Sequence, residues 1–284
     1  PGVFNLVMGN GNEVGDKILT HPDVDAITFT GSVETGQHVA MRCAEGMKKF
    51  QLEMGGKNPL VVMNDADLNV AVECAVNGAF YSTGQRCTAS SRLIVEKGVH
   101  KPFIEAIRKR MSKLVVGNAL DEGVDIGPLA SQTQLDKTMR YIELGESGGA
   151  ELVYGGERLT RETDGFYVAP TLFSNTSETM QIVTDEIFGP VAVILYTEDY
   201  EHAVSLANNT KFGLSAGICT TSLSHAENFK RDSQAGMVMV NLPTAGVDFH
   251  VPFGGRKGSS SGSREQGRWA AEFYTSGKTA YTTP

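Results

Sequence analysis

The chain of 284 residues is 40% hydrophobic and 20% charged, enough to bury one large core or two modest ones, and it carries no long low-complexity tract. Its net charge of -8 comes from 33 acidic against 25 basic residues spread along the sequence, which argues against nucleic acid as a partner in the absence of a local basic patch. Cys43, Cys74, Cys87 and Cys219 match no zinc-ligand spacing, and no signal peptide or long apolar span accompanies them. They read as reduced thiols in the cytoplasm, with no metal and no membrane partner.

The first residues, PGVFNLVMGNG, read as a strand over 3–7 entering a glycine loop, with neither an initiator Met nor a helix cap before them, so the chain is expected to begin in the middle of a fold. Gly9, Gly11 and Gly15 precede a helix through Ile18 and Leu19. AITFT at 26–30 is strand-like, and GSVETG opens a helix whose Val39, Cys43 and Met47 share one face. Strand-like KKFQLEM and PLVVM flank Gly55 and Gly56. From Asp67 to Tyr81, apolar residues at three- and four-residue intervals predict a buried helix that Asp65 or Asp67 caps and Gly84 ends. SRLIVE, IFGPVAVILY, GLSAGICT and GMVMVN read as strands, and 101–114 and 131–146 as helices. Strands alternating with helices predict an α/β fold with mostly parallel sheets.

Cys87 follows the helix-ending Gly84 in GQRCTAS, where a sharp turn exposes a sulfur to backbone N–H groups and favours thiolate. Taken alone it reads more readily as a small buried hydrophobe. Glu53 ends a strand-like run, where ligands bind in open α/β sheets; alone, it reads as a surface charge beside Lys57. Thiol nucleophile and carboxylate base suit formation and hydrolysis of an acyl-enzyme. Gly31 and Ser32 stand at a helix start suited to a pyrophosphate. Glu186 offers acceptors to ribose hydroxyls and Phe188 a ring for a flat heterocycle. Asp248 and His250 receive no catalytic role.

In order along the chain, FTGS (29–32), LEMGGKNP (52–59), GQRC (84–87), EIFGP (186–190) and PFGGRKGSSSG (252–262) resemble the aldehyde dehydrogenase superfamily, and the interval from Glu53 to Cys87 resembles that family's spacing of general base and nucleophile. The resemblance implies a remnant of a Rossmann-type dinucleotide-binding domain joined to a catalytic α/β domain. By it, Cys87 attacks an aldehyde to give a thiohemiacetal, which passes hydride to NAD or NADP and becomes a thioester, and Glu53 activates the water that releases the acid. Glu265, in SGSREQG, matches a glutamate that helps relay protons. Cofactor roles carry over to Gly11 and Gly15 on the adenine side, Gly31, Ser32 and Gly36 near the pyrophosphate, Glu186 and Phe188 at the nicotinamide ribose, and more weakly Gln134.

The same resemblance divides the chain into 1–54 as the later part of the NAD(P)-binding domain, 55–257 as the nucleophile domain, 258–274 as a return to the first, and 275–284 as an oligomerisation tail, so a homo-oligomer is expected of the full-length protein. The closing segment from Asn241 looks most like the branch that oxidises α-ketoglutarate semialdehyde (2,5-dioxopentanoate), with Leu242–Val251 as the substrate loop. The matched residues correspond to the later part of the family's length; an upstream segment is expected to supply an oxyanion-hole asparagine and the adenine-ribose contacts. Without it the chain is expected to be a non-catalytic fragment.

Overall fold

The computed structural model describes residues 2–284. In chain order, one wide turn of π-type geometry (Gly11–Gly15) runs into α1 (Asp16–Thr20), β1 (Ala26–Thr30), α2 (Val33–Glu45) and β2 (Lys49–Glu53), followed by β3 (Asn58–Val62), α3 (Leu68–Phe80), β4 (Ser90–Glu96), α4 (His100–Met111) and α5 (Gln132–Ser147). The remainder holds β5 (Glu151–Tyr154), β6 (Thr171–Ser174), α6 (Gln181–Thr184), β7 (Val191–Thr197), α7 (Tyr200–Asn208), β8 (Ser215–Cys219), α8 (Leu223–Asp232), β9 (Met237–Val240), β10 (Ser260–Ser261) and α9 (Gly267–Phe273).

Two sheets result. The larger has the order β5-β6-β7-β4-β3-β8-β9 and is parallel throughout except for β5 against β6. Its strands are apolar on both faces, as a parallel sheet covered by helices requires. Leu60, Val62, Leu93 and Val95 point into a core shared with α3 and α4, while Val61, Ile94, Val193 and Leu195 point to the opposite core with α5, α6, α7 and α8. Each such side chain contributes about 1.5–3 kcal/mol on burial. The smaller sheet, β1-β2-β10, covers one face with α1 and α2 through Leu19, Ile27, Val39, Cys43 and Leu52. The antiparallel pairing of Ser260 with Glu53 returns the chain from the large sheet to the small one.

Caps explain the helix starts. Ser32 accepts from Thr35 N at α2, and Asp67 accepts from Asn69 N and Val70 N at α3. Asp65, the alternative cap, instead binds the hydroxyls of Thr220 and Thr221.

Several expectations are corrected. Val3–Val7 forms no strand; Val3, Phe4, Leu6 and Val7 are exposed, with no strand beside them to take up their backbone groups. Met47 lies beyond α2 with φ of 54° and is exposed, so only Val39 and Cys43 of the expected stripe are buried. The nucleophile-side helix ends at Phe80, not Gly84, because Ser82 and Thr83 already take positive φ. Residues 275–284 carry no regular secondary structure, which leaves the expected role of that tail untouched. Among those residues, no helix is long and apolar enough to cross a membrane.

Candidate active site

The turn that carries Cys87 is built by three consecutive residues in the left-handed region, Ser82, Thr83 and Gly84. A β-branched residue there is strained, and Thr83 is held by its hydroxyl, which donates to Gly127 O at 3.0 Å. Gly84 is required: a Cβ would collide with the carbonyl of Gly189. Arg86, beside the nucleophile candidate, spends its guanidinium on the carbonyls of Asn77 and Tyr81. Cys87 then sits in a turn closed by Ala89 N donating to Arg86 O, just before β4.

The Cys87 thiol is half-buried, and the backbone N–H groups of Cys87 and Thr88 act on it to favour thiolate. These donors stabilise thiolate, as expected. Burial acts the other way and dominates, reinforced by the nearby Glu186 and Glu53 carboxylates, so the thiol is held above its ordinary range. The turn's own N–H groups thus act in the expected direction, but burial outweighs them, and the two carboxylates from other elements add to it.

Glu53 lies at the C-terminal end of β2, paired with Thr30 on one side and Ser260 on the other. Its carboxyl is 2% exposed; Oε2 accepts from Ser260 Oγ at 2.6 Å, and Oε1 has no protein partner. Burial pushes the group up to about 7; Ser260 and Arg264 oppose the rise and Glu265 adds to it. The surface pair with Lys57 does not exist. Lys57 is itself 1% exposed, its ammonium is unpartnered, and burial with the Arg92 charge lowers it to about 7 against the pull of Glu186 and Asp185.

Glu186 folds onto the loop that follows Glu53, with Oε1 accepting from Gly56 N at 2.9 Å. A Cβ on Gly55 would occupy the carboxylate's position, so the glycine pair admits Glu186 as well as turning the chain. Burial raises the Glu186 carboxyl, opposed by the Gly56 N–H, Lys137, Lys57 and Lys211. Phe188, with φ of 60°, is half-buried next to it. Gln134 donates from Nε2 to Ile187 O at 2.9 Å, which braces the Glu186–Phe188 segment.

The remaining expected residues spread along the small sheet. Gly31 N donates to Glu53 O at 3.1 Å, and a Cβ there would strike the Phe29 ring. Ser32 caps α2, whose first-turn amides have no intrahelical acceptor. Gly36 packs on Met54, which leaves no room for a side chain. Gly11 and Gly15 border an open groove with Ile18, Thr28, Phe29 and Thr35. Glu265 accepts from Thr28 Oγ1 at 3.3 Å and influences Glu53 electrostatically. Cys87, Glu53 and Glu186 are thus brought together where the C-terminal edge of β2 meets the N-terminal edges of β3 and β4, while Gly11 and Gly15 lie apart on the groove.

Local pattern reading missed the supports. Arg92 is 2% exposed and donates at 2.9 Å to each of Lys57 O, Leu206 O and Ala207 O, capping the C-terminal end of α7 where a cation is favoured. Its signal was an arginine inside an otherwise apolar strand. Ser260 was visible only as part of a serine-rich run.

Fold and site together define a class of α/β proteins that present one thiol, one buried and one half-buried carboxylate at the junction of a dinucleotide-type sheet and a larger parallel sheet. The chain belongs to the aldehyde dehydrogenase family, whose profile, "Aldehyde dehydrogenase family", matches residues 1–280. It is 45% identical, over 100% of its length, to the alpha-ketoglutaric semialdehyde dehydrogenase of Bacillus subtilis, and spans 58% of that protein. It is 40% identical over 99% of its length to the 2,5-dioxopentanoate dehydrogenase of Saccharolobus solfataricus, spanning 59% of it. Among solved structures, betaine aldehyde dehydrogenase from Staphylococcus aureus in complex with NAD+ superposes with a TM-score of 0.92 at 34% identity, over 95% of this chain and 54% of that one. An NAD-dependent aldehyde dehydrogenase from Sinorhizobium meliloti gives a TM-score of 0.93 at 38% identity, over 96% and 54%.

Proposed function

We propose that the protein oxidises an aldehyde to a carboxylic acid with NAD or NADP, Cys87 being the nucleophile and Glu53 the general base. The observation that carries this reading is the meeting, beyond the end of β2, of the half-buried Cys87 thiol with the buried Glu53 carboxyl, one of whose oxygens has no protein partner, and with Glu186 seated on Gly56 N. The dinucleotide fits two features. The first-turn amides of α2 beside Gly31 and Ser32 suit a pyrophosphate, and the Glu186 carboxylate, seated on Gly56 N, keeps Oε2 for a ribose hydroxyl. Gly36 would allow close approach of α2, Phe188 and Gln134 would shape the nicotinamide side, and Gly11 and Gly15 the adenine side. NAD or NADP, when bound, supplies the hydride acceptor.

Cys87 adds to the aldehyde carbon, and its own backbone N–H would be one donor to the oxygen on which charge develops. The thiol proton has an acceptor at hand: Glu53, held near neutrality, takes a proton at one stage and activates water at the next. Water attack on the Cys87 thioester releases the acid and restores the thiol. Glu265, whose charge bears on Glu53, is the nearby carboxylate that would take the Glu53 proton on toward solvent.

The named relatives and the segment from Asn241 onward support a short aldehyde that already carries a carboxylate, of the α-ketoglutarate semialdehyde type, as substrate. The division into 1–54, 55–257, 258–274 and 275–284, the homo-oligomer and a cytoplasmic location belong to the same proposal. Steady-state NAD(P)H production by the protein from its complete reading frame, over a panel of aldehydes, tests it; activity that survives Cys87→Ala would overturn it.

A further inference from the structure

The side chains behind the Cys87 turn take no part in the proposed chemistry, yet they are buried and committed to it. Asn58 is 2% exposed; its Nδ2 donates to Cys87 O at 2.8 Å and to Ala89 O at 2.9 Å, and its Oδ1 accepts from Ser215 N at 3.0 Å. Every polar atom of the amide is used. Thr244, with 0% exposure, donates from Oγ1 to Thr88 O at 2.7 Å. A hydroxyl has one proton, so in the 2.6 Å contact between Thr244 Oγ1 and Ser90 Oγ the serine is the donor. Two side chains therefore fix three successive carbonyls, those of Cys87, Thr88 and Ala89.

A trans peptide is planar, with C=O and N–H on opposite sides. Holding Cys87 O against Asn58 turns the Thr88 N–H to the opposite side of the peptide, where it favours the Cys87 thiolate. Gly56 lets the clamp close, since a Cβ there would meet both Cys87 O and the Asn58 amide. Thr244 brings a second element into contact with the same turn. It lies in the segment after β9 whose neighbouring Leu242, Val247 and Phe249 are exposed, so it is a buried anchor of an otherwise open loop.

We propose that Asn58 and Thr244 are positioning residues for Cys87: Asn58 orients the peptide that carries the Thr88 N–H, and Thr244 ties the substrate-facing loop to the nucleophile turn. This rests on the reading of Cys87 as nucleophile. The test uses the protein from its complete reading frame and measures the rate of Cys87 alkylation by iodoacetamide, by peptide mass mapping, alongside kcat, KM and melting temperature. Thr244→Val is expected to slow both alkylation and kcat about tenfold, the worth of one hydrogen bond to a charged group, with the KM for the dinucleotide unchanged. Thr244→Ser, which keeps the hydroxyl, is expected to restore both rates, and Asn58→Ser to lose them as Thr244→Val does.

A folded Thr244→Val protein with wild-type alkylation and kcat, or a Thr244→Ser protein as slow as the valine variant, would overturn the proposal. Should Thr244→Val fail to fold, Thr244→Ala decides, because it removes the donor to Thr88 O without placing a methyl against Ser90 Oγ; slowed alkylation supports the coupling and an unchanged rate refutes it. Turnover that persists in Cys87→Ala removes the nucleophile reading itself. Turnover abolished in Cys87→Ala but unaffected in folded Thr244→Val and Asn58→Ser removes the positioning role alone.

Discussion

Replacing Glu53 by Gln should make the protein more stable, and increasingly so as pH rises. Glu53 is buried at the edge of β2 with one carboxylate oxygen unpartnered, and burial moves its carboxyl from the ordinary 4.5 to about 7. The folded protein thus holds this proton more tightly than the unfolded chain does. Between about pH 4.5 and 7 the folded state binds more protons, stability falls as pH rises, and above about 7 the loss is complete. At about 1.36 kcal/mol for each tenfold difference in proton affinity, the loss approaches ~3 kcal/mol, and relaxation with water entry reduces it to about 2 kcal/mol. Glutamine keeps the shape, still accepts from Ser260, and carries no charge. Urea unfolding of wild-type and Glu53→Gln proteins at pH 5 and pH 8 measures the effect: the variant's advantage should be small at pH 5 and grow by about 2 kcal/mol at pH 8. An advantage that does not change with pH would refute the reasoning, because a buried carboxylate that costs nothing to ionise cannot be the raised base.

The same property predicts that kcat rises with pH through an apparent pKa near 7, and that Glu53→Gln lowers turnover about 10²–10⁴-fold; a wild-type pH profile in the variant would count against Glu53. Glu186→Gln should raise the KM for the dinucleotide about tenfold through loss of a charged hydrogen bond, read in initial-rate kinetics, with the melting temperature little changed. Arg92→Met leaves the carbonyls of Lys57, Leu206 and Ala207 without their donors and is expected to cost about 3–5 kcal/mol in unfolding experiments.

The strands with two-residue alternation or continuous apolar runs were legible because burial is written into local composition: AITFT, SRLIVE and GMVMVN all lie in or overlap observed strands. Asp67 was legible as a cap because the side-chain chemistry of a helix start is local. Val3–Val7 has the composition of a strand but forms none, since strand formation depends on a neighbour that no local window contains. The meeting of Glu53 with Cys87 depends on β2 ending where β3 and β4 begin in a different sheet, and periodicity says nothing of that. Only the ordered motifs, through family resemblance, pointed to it. The net direction of the Cys87 shift was not legible for the same reason: it is set by burial and by carboxylates from β2 and from the loop before β7. Thr244 reaches Thr88 O from far along the chain, and nothing in either local sequence marks the contact.

The central claim is that Cys87 carries the acyl group and Glu53 releases it. It is tested most directly by quenching the Glu53→Gln protein, from its complete reading frame, after mixing with aldehyde and NAD or NADP, and mapping its peptides by mass. An acyl adduct should accumulate on the peptide containing Cys87 and disappear in the Cys87→Ala, Glu53→Gln double variant. An adduct on another residue, or undiminished turnover with no adduct on Cys87, would contradict it.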